Sequence, residues 1–149
     1  MKRQFTVSLM AALLMMVVSI SCQDHRAQPA SRLVMKVFTA RSVEENGVTV
    51  YTRGGTANIR PGYGTFRLDL SDANNVVLRD FDANSFRGEW LVPSNTQLTL
   101  VKLMPQPTGT NGTIDFVINS VNDTELVLTR TMASQKAGGT TVKYTLTTL

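Results

Sequence analysis

The sequence predicts an all-β domain: an antiparallel up-and-down meander that closes into a barrel of about eight strands. Three observations predict it. Strand-like segments recur at short, regular spacing from residue 33 to the end. Within them apolar and polar residues alternate with period two, so each segment offers one apolar face. Clusters of Asn, Gly, Asp, Ser and Pro punctuate the joins, and no stretch carries a capped helical stripe. One-sided strands joined by short turns build a meander, and a meander left open exposes edges that pair with other chains. A two-sheet sandwich is the other closure, but the Cys…Trp…Cys pattern of immunoglobulin domains is absent.

The elements follow in order. Leu33 to Arg41 reads as the first strand and Val48 to Arg53 as the second, with Asn46-Gly47 as the hairpin signal between them. Thr65 to Leu70 comes after a glycine-rich stretch, and SDANN links it to Val76 to Phe81. Phe86 to Val92, Gln97 to Leu103, Thr113 to Val121, Thr124 to Met132 and Thr140 to Thr148 complete the series. Phe66, Leu68 and Leu70 share one face, as do Ile114, Phe116 and Ile118, Leu126 and Leu128, and Val142, Tyr144 and Leu146.

Upstream of the strands the chain reads as an export signal. Lys2 and Arg3 precede an apolar run from Phe5 to Ile20, the order of a secretory n-region and h-region. The run is short for a spanning helix, and no basic stop-transfer cluster follows it. Ser19-Ile20-Ser21-Cys22 resembles a bacterial lipobox, where a signal peptidase cuts before a cysteine. Cys22 is the single cysteine of the chain, so an internal disulfide is excluded. The resemblance implies that Cys22 carries acyl chains, palmitate among them, that hold the protein on a bilayer. Gln23, where Asp would favour inner-membrane retention, points to the outer membrane of the cell envelope. The expected organisation is a lipoprotein signal peptide over 1–21, a flexible tether over 22–32 and a barrel domain over 33–149.

Charge and composition exclude other classes. The chain has 15 Lys+Arg and 11 Asp+Glu; loss of Lys2 and Arg3 with the signal leaves 13 against 11, a net charge of about +2. The basic residues are scattered, so there is no nucleic-acid footprint. His25, the single histidine, lies in the tether, which removes a multi-histidine metal site and an imidazole base for a nucleophile. No cofactor, metal or enzymatic activity is expected, and the domain is expected to be a monomer.

FRLDLS, then NVVLRDFDANSFRGEWLVPSNTQLTLV, then NGTIDFVINSVNDTELVLTR resemble the lipocalin-like lipoproteins of Bacteroidetes-type bacteria. The correspondence rests on Gly88-Glu89-Trp90, on Leu98-Thr99-Leu100, and on Ile118 and Val121 leading to Leu126-Val127-Leu128. The resemblance implies a small lipocalin-like, calycin-type barrel. In lipocalins the Gly-x-Trp lies on the first strand, whereas here it lies on the fifth, which leaves two readings open. In the first, the barrel takes a small apolar ligand lined by Phe66, Leu68, Trp90, Leu100, Phe116, Leu126 and Tyr144. In the second, the core is solid and the loops contact a protein or glycan partner.

Two segments invite a site. YTRGGTANIRPGYGTF, from Tyr51 to Phe66, is rich in glycine but leads into a strand, so it lacks the helix N-terminus a phosphate loop needs. It is expected to cross one end of the barrel, either as a plug built on Pro61 and Tyr63 or as a mouth loop offering Arg53, Asn58, Arg60 and Tyr63 to a ligand. Asp80-Phe81-Asp82-Ala83-Asn84 places oxygens at alternate positions, but Ser85 and Leu91 stand where a calcium loop has Gly and Glu. It is expected to be a polar turn. Asp69 and Glu89 are the carboxylates weighed as a pair and read as solvated strand faces.

Overall fold

The alternation in the sequence becomes a closed wall. The structure, a computed structural model, describes residues 28–149; the segment read as signal peptide and the candidate anchor Cys22 lie outside them. Among the described residues nine strands follow in order: β1 (Val37–Glu45), β2 (Val48–Thr52), β3 (Arg67–Asp69), β4 (Asn75–Arg79), β5 (Ser85–Ser94), β6 (Gln97–Met104), β7 (Ile114–Val121), β8 (Glu125–Arg130) and β9 (Val142–Thr148). From β3 onward each strand pairs antiparallel with the next, and β9 returns to pair with β1 along most of its length.

The other edge of β1 has two partners. Val37–Thr39 pairs with β3, and Ser42–Glu45 pairs with β2. β2 and β3 therefore run collinear as two pieces of one stave, so the nine strands make an antiparallel barrel of eight staves. Between the two pieces, residues 53–66 leave the wall as a strap and then rejoin it.

The first strand begins later than Leu33. Ala30–Leu33 forms one helical turn, α1, within the stretch read as tether and at the start of the segment read as strand. Pro29 precedes it at the N-cap, the end of a helix that tolerates a missing N–H. Ala30 and Val34 are both buried, and the Val34 N–H donates to the Ala30 carbonyl at 2.9 Å. Apolar contacts four apart suit a helical turn, so here that period displaces period two. α1 is tied to the β5–β6 turn by a bond from the Ala30 N–H to Asn95 Oδ1 at 3.1 Å.

β1 also runs past the expected Arg41 to Glu45, and its parity changes on the way. Phe38 and Ala40 face inward, then Val43 and Glu45 do. The register against β9 slips between Ala40 and Ser42, because Arg41 is one residue more than β9 supplies there. Such a bulge turns every later side chain to the opposite face. A two-residue Asn46-Gly47 turn then closes the hairpin, with Asn46 at φ +49°, as such turns require.

A second bulge explains Gly88. β6 spends three steps from Met104 to Val101 where β5 spends two from Arg87 to Glu89, and Lys102 takes up the difference at φ +55°. The displaced β6 backbone comes so close that a Cβ on Gly88 would lie 2.4 Å from the Val101 carbonyl oxygen. Only glycine fits that approach. Two residues on, Trp90 lies in the core, and its Nε1 donates to the Asp72 carbonyl at 2.7 Å. That bond ties the β3–β4 turn over the α1 end of the barrel.

Candidate functional site

The strap builds the opposite end. Its backbone covers the outer edge of β2, which no strand among the described residues pairs. The Arg60 N–H donates to the Val50 carbonyl at 3.0 Å. Asn58 does for Thr52 what a neighbouring strand would do: its Oδ1 accepts from the Thr52 N–H at 2.8 Å, and its Nδ2 donates to the Thr52 carbonyl at 3.0 Å. Arg53 serves the gap between β2 and β3. Its guanidinium donates to the Ala40 carbonyl and to Thr39 Oγ1.

Tyr63 occupies the middle of this end, on the one-turn 3-10 helix Pro61–Thr65. It is 0% exposed, and its hydroxyl donates to Glu45 at 2.9 Å. Arg60 Nε donates to the same carboxylate at 2.9 Å. Glu45, turned inward by the Arg41 bulge, is only 7% exposed, so its charge needs both partners. The Tyr63 ring packs 4.9 Å from Phe81 and 6.1 Å from Tyr144, and Tyr144 stacks on Phe66 at 4.8 Å. The rings meet in tilted, edge and stacked arrangements of the favourable kinds. Burial pushes the Tyr63 phenol far above its ordinary value, and Tyr144 and Glu45 add to the effect. Burial raises Tyr144 as well, with Asp80 adding to it and Arg130 offsetting part of it.

The four residues expected at a mouth are thus engaged within the fold: Arg53 and Asn58 with wall backbone, Arg60 and Tyr63 with Glu45. The seven expected to line the interior do face it together. Leu68, Leu100 and Leu126 are 0% exposed, and Phe66, Trp90, Phe116 and Tyr144 reach at most 7%. No water-sized space remains against the three leucines, so the interior around them is filled.

Outside the wall, Asp69, Asn75, Arg87, Glu89 and Lys102 line a groove of about 590 Å³ beside the β3–β4 turn. Asp69 and Glu89 share this groove. Asp69 is held by Ser71 and Arg67, and Glu89 by Lys102 at 2.8 Å. Burial alone would raise the Asp69 carboxyl, but the Ser71 and Arg67 bonds bring it below its ordinary value. The Asp80–Asn84 turn carries its own cation: Lys136 Nζ lies 3.3 Å from Asp80 and 2.7 Å from Asp82, over the Phe86 ring. Among the described residues no group of three or more His, Cys, Asp or Glu is placed to hold a metal.

Sequence reasoning missed Glu45 because its inward turn depends on a bulge that alternation does not announce. It missed Lys136 because a residue from a distant loop supplies the cation. It also passed over Arg130, although that residue lies two beyond Leu128 and keeps the parity of Leu126 and Leu128.

No protein-family model matches the sequence, and no curated protein does either. Among solved structures the chain is similar to a lipocalin-like protein from Bacteroides uniformis, with 11% identity and a TM-score of 0.45, covering 76% of this chain and 96% of that one. It is also similar to an uncharacterized protein from Bacteroides eggerthii, with 10% identity and a TM-score of 0.46, covering 76% of this chain and 98% of that one. The fold class itself rests on the sheet described above: an all-β, antiparallel, up-and-down barrel closed by β1 on β9.

Proposed function

We propose that this chain is a lipoprotein of the cell envelope whose barrel is a solid-cored binding module, meeting its partner through the outer wall and loops. The packed interior carries this reading: Leu68, Leu100 and Leu126 have no accessible surface, and the strap seals one end with Tyr63. Ligand pockets usually enclose about 300–1,000 Å³. The outer groove beside Asp69, Arg87 and Glu89 falls within that range at about 590 Å³. Its lining of carboxylates, an amide, a guanidinium and an ammonium suits a polar partner, a protein or a glycan surface.

The anchor belongs to the same proposal. Cys22 after an apolar run would place the acyl chains at the membrane, with the barrel beyond a short tether. Among the described residues no helix is long and apolar enough to cross a membrane. Metabolic labelling with an alkynyl fatty acid tests the anchor: label should enter the wild-type chain and be lost in Cys22→Ala.

Native mass spectrometry of the detergent-extracted full chain tests the binding mode. The expected spectrum shows the acylated polypeptide with no stoichiometric apolar adduct. An apolar molecule retained one per chain, and released only on unfolding, would overturn the solid core and restore a carrier.

A further inference from the structure

Strand alternation aims Arg130 toward the core, where it is half-buried beside the Tyr144 hydroxyl and shares a cavity wall with Asp115. It stands opposite buried Phe116 across the β7–β8 ladder. Among the described residues its buried Nε has no hydrogen-bond partner. Arg130 enters none of the ion pairs among the described residues. A guanidinium keeps its charge at any pH the fold survives, and an unpaired buried donor is costly. An acceptor held in the space next to the guanidinium would serve donors that the chain leaves over.

A cavity of about 150 Å³ adjoins it, lined by Arg130 together with Gly109, Thr110, Asn111, Thr113 and Asp115. Its roof is the β6–β7 loop, which is internally tied. The Thr110 hydroxyl donates to the Pro107 carbonyl at 2.7 Å and accepts from the Gly112 N–H at 3.2 Å. The cavity is therefore walled by a loop with its own bonds. At roughly 30 Å³ per water it has room for a few waters or one small ion.

We infer that Arg130 and this cavity form a binding site for a compact, singly charged oxyanion such as a carboxylate group. The guanidinium presents its donors in a planar fork that matches two oxygens of such an anion. Asp115 sets the charge limit. Its Oδ1 accepts from Thr99 Oγ1 at 2.7 Å, which leaves its negative charge beside the cavity. A dianion there would be repelled more strongly than a monoanion. The inference stands apart from the outer-wall reading, since the cavity and the groove share no residue.

Nuclear magnetic resonance on the full chain, nitrogen-15 labelled and held in micelles, tests it. Sodium acetate is titrated against sodium chloride at constant ionic strength, with hydrogen phosphate as a second arm. Acetate should shift the Arg130 Nε–H and the Gly109 and Asn111 amides along a saturable curve, and phosphate should bind more weakly. Arg130→Lys should weaken binding several-fold, and Arg130→Gln should abolish saturation while the β1 and β9 signals stay in place. Equal shifts in wild type and Arg130→Gln, or no saturation with acetate, would refute the site. Tighter binding of phosphate than acetate would refute its charge class.

Discussion

The Arg53 guanidinium closes a break in the barrel wall by donating to the Ala40 carbonyl, at 3.1 Å from Nε and 2.8 Å from a terminal nitrogen. The stave opposite β1 is interrupted there, between the pairing of Thr39 with Arg67 and that of Ser42 with Thr52. Arg53→Met keeps the stem and removes the donors, and should cost about 1–2 kcal/mol, the range for bonds from charged donors at a partly exposed place. Urea unfolding measures it. A loss within error would mean that water serves Ala40 equally well.

Tyr63 and Glu45 lock the strap. Tyr63→Phe removes one of the bonds to a buried carboxylate and should cost about 1–3 kcal/mol. Tyr63→Ala also empties the ring's place among Phe81 and Tyr144, and should cost about 3–5 kcal/mol. The order of the two midpoints in denaturant checks the argument, because a strap lying loosely on the surface would tolerate both.

Two glycines stand where no Cβ fits. Beside Gly88 the nearest atom is the Val101 carbonyl oxygen, and beside Gly62 it is the Phe81 carbonyl oxygen, each 2.4 Å from the position of an added Cβ. Backbone cannot swing away as a side chain does. Gly88→Ala and Gly62→Ala should each cost about 1–3 kcal/mol, as overpacking does, and lower the melting temperature by several degrees in a thermal scan.

Acid should weaken the strap end. Burial by itself would raise the Asp82 carboxyl, but bonds from Lys136 and Asn84 and the charge of Lys136 outweigh it and hold it below its ordinary 3.8. A carboxyl lowered by folding adds stability that is complete above its unfolded value and disappears as pH falls through its folded one. Unfolding free energy followed below pH ~4 should therefore decline, and Lys136→Met should flatten that part of the decline.

Alkali acts on the other side. Tyr63 and Tyr144 are both raised above the ordinary phenol value of 10.0. A phenol raised by folding adds stability that is complete below its unfolded value and is lost as pH rises toward its folded one. Ultraviolet titration should show these two ionising only together with unfolding, in one cooperative step. Smooth, reversible ionisation of Tyr63 and Tyr144 with the fold intact would contradict their burial.

Most of the wall was legible because period two is a local signal. FRLDL, TIDFVI and TVKYTL each disclose their inner face within a few residues, and Asn46-Gly47 discloses its turn. What stayed hidden depends on partners far along the chain. That β2 and β3 form one stave follows only from both pairing with β1. Glu45 faces inward because Arg41 is surplus against β9, a fact about two strands a hundred residues apart. The late start of β1 turns on Ala30 and Val34 finding contacts four apart, which outweighs the alternation that LVMKVF displays. The interior positions were readable from parity, whereas whether they enclose space depends on volumes that parity does not carry.

A stave made of two separate lengths has a topological consequence. The exposed stretch around Gly54 to Ala57 could be severed by a protease while β2 and β3 both stay hydrogen-bonded to β1. The two fragments would hold together as one particle. The same stretch would accept an inserted peptide, or new chain termini, without a single ladder contact being given up.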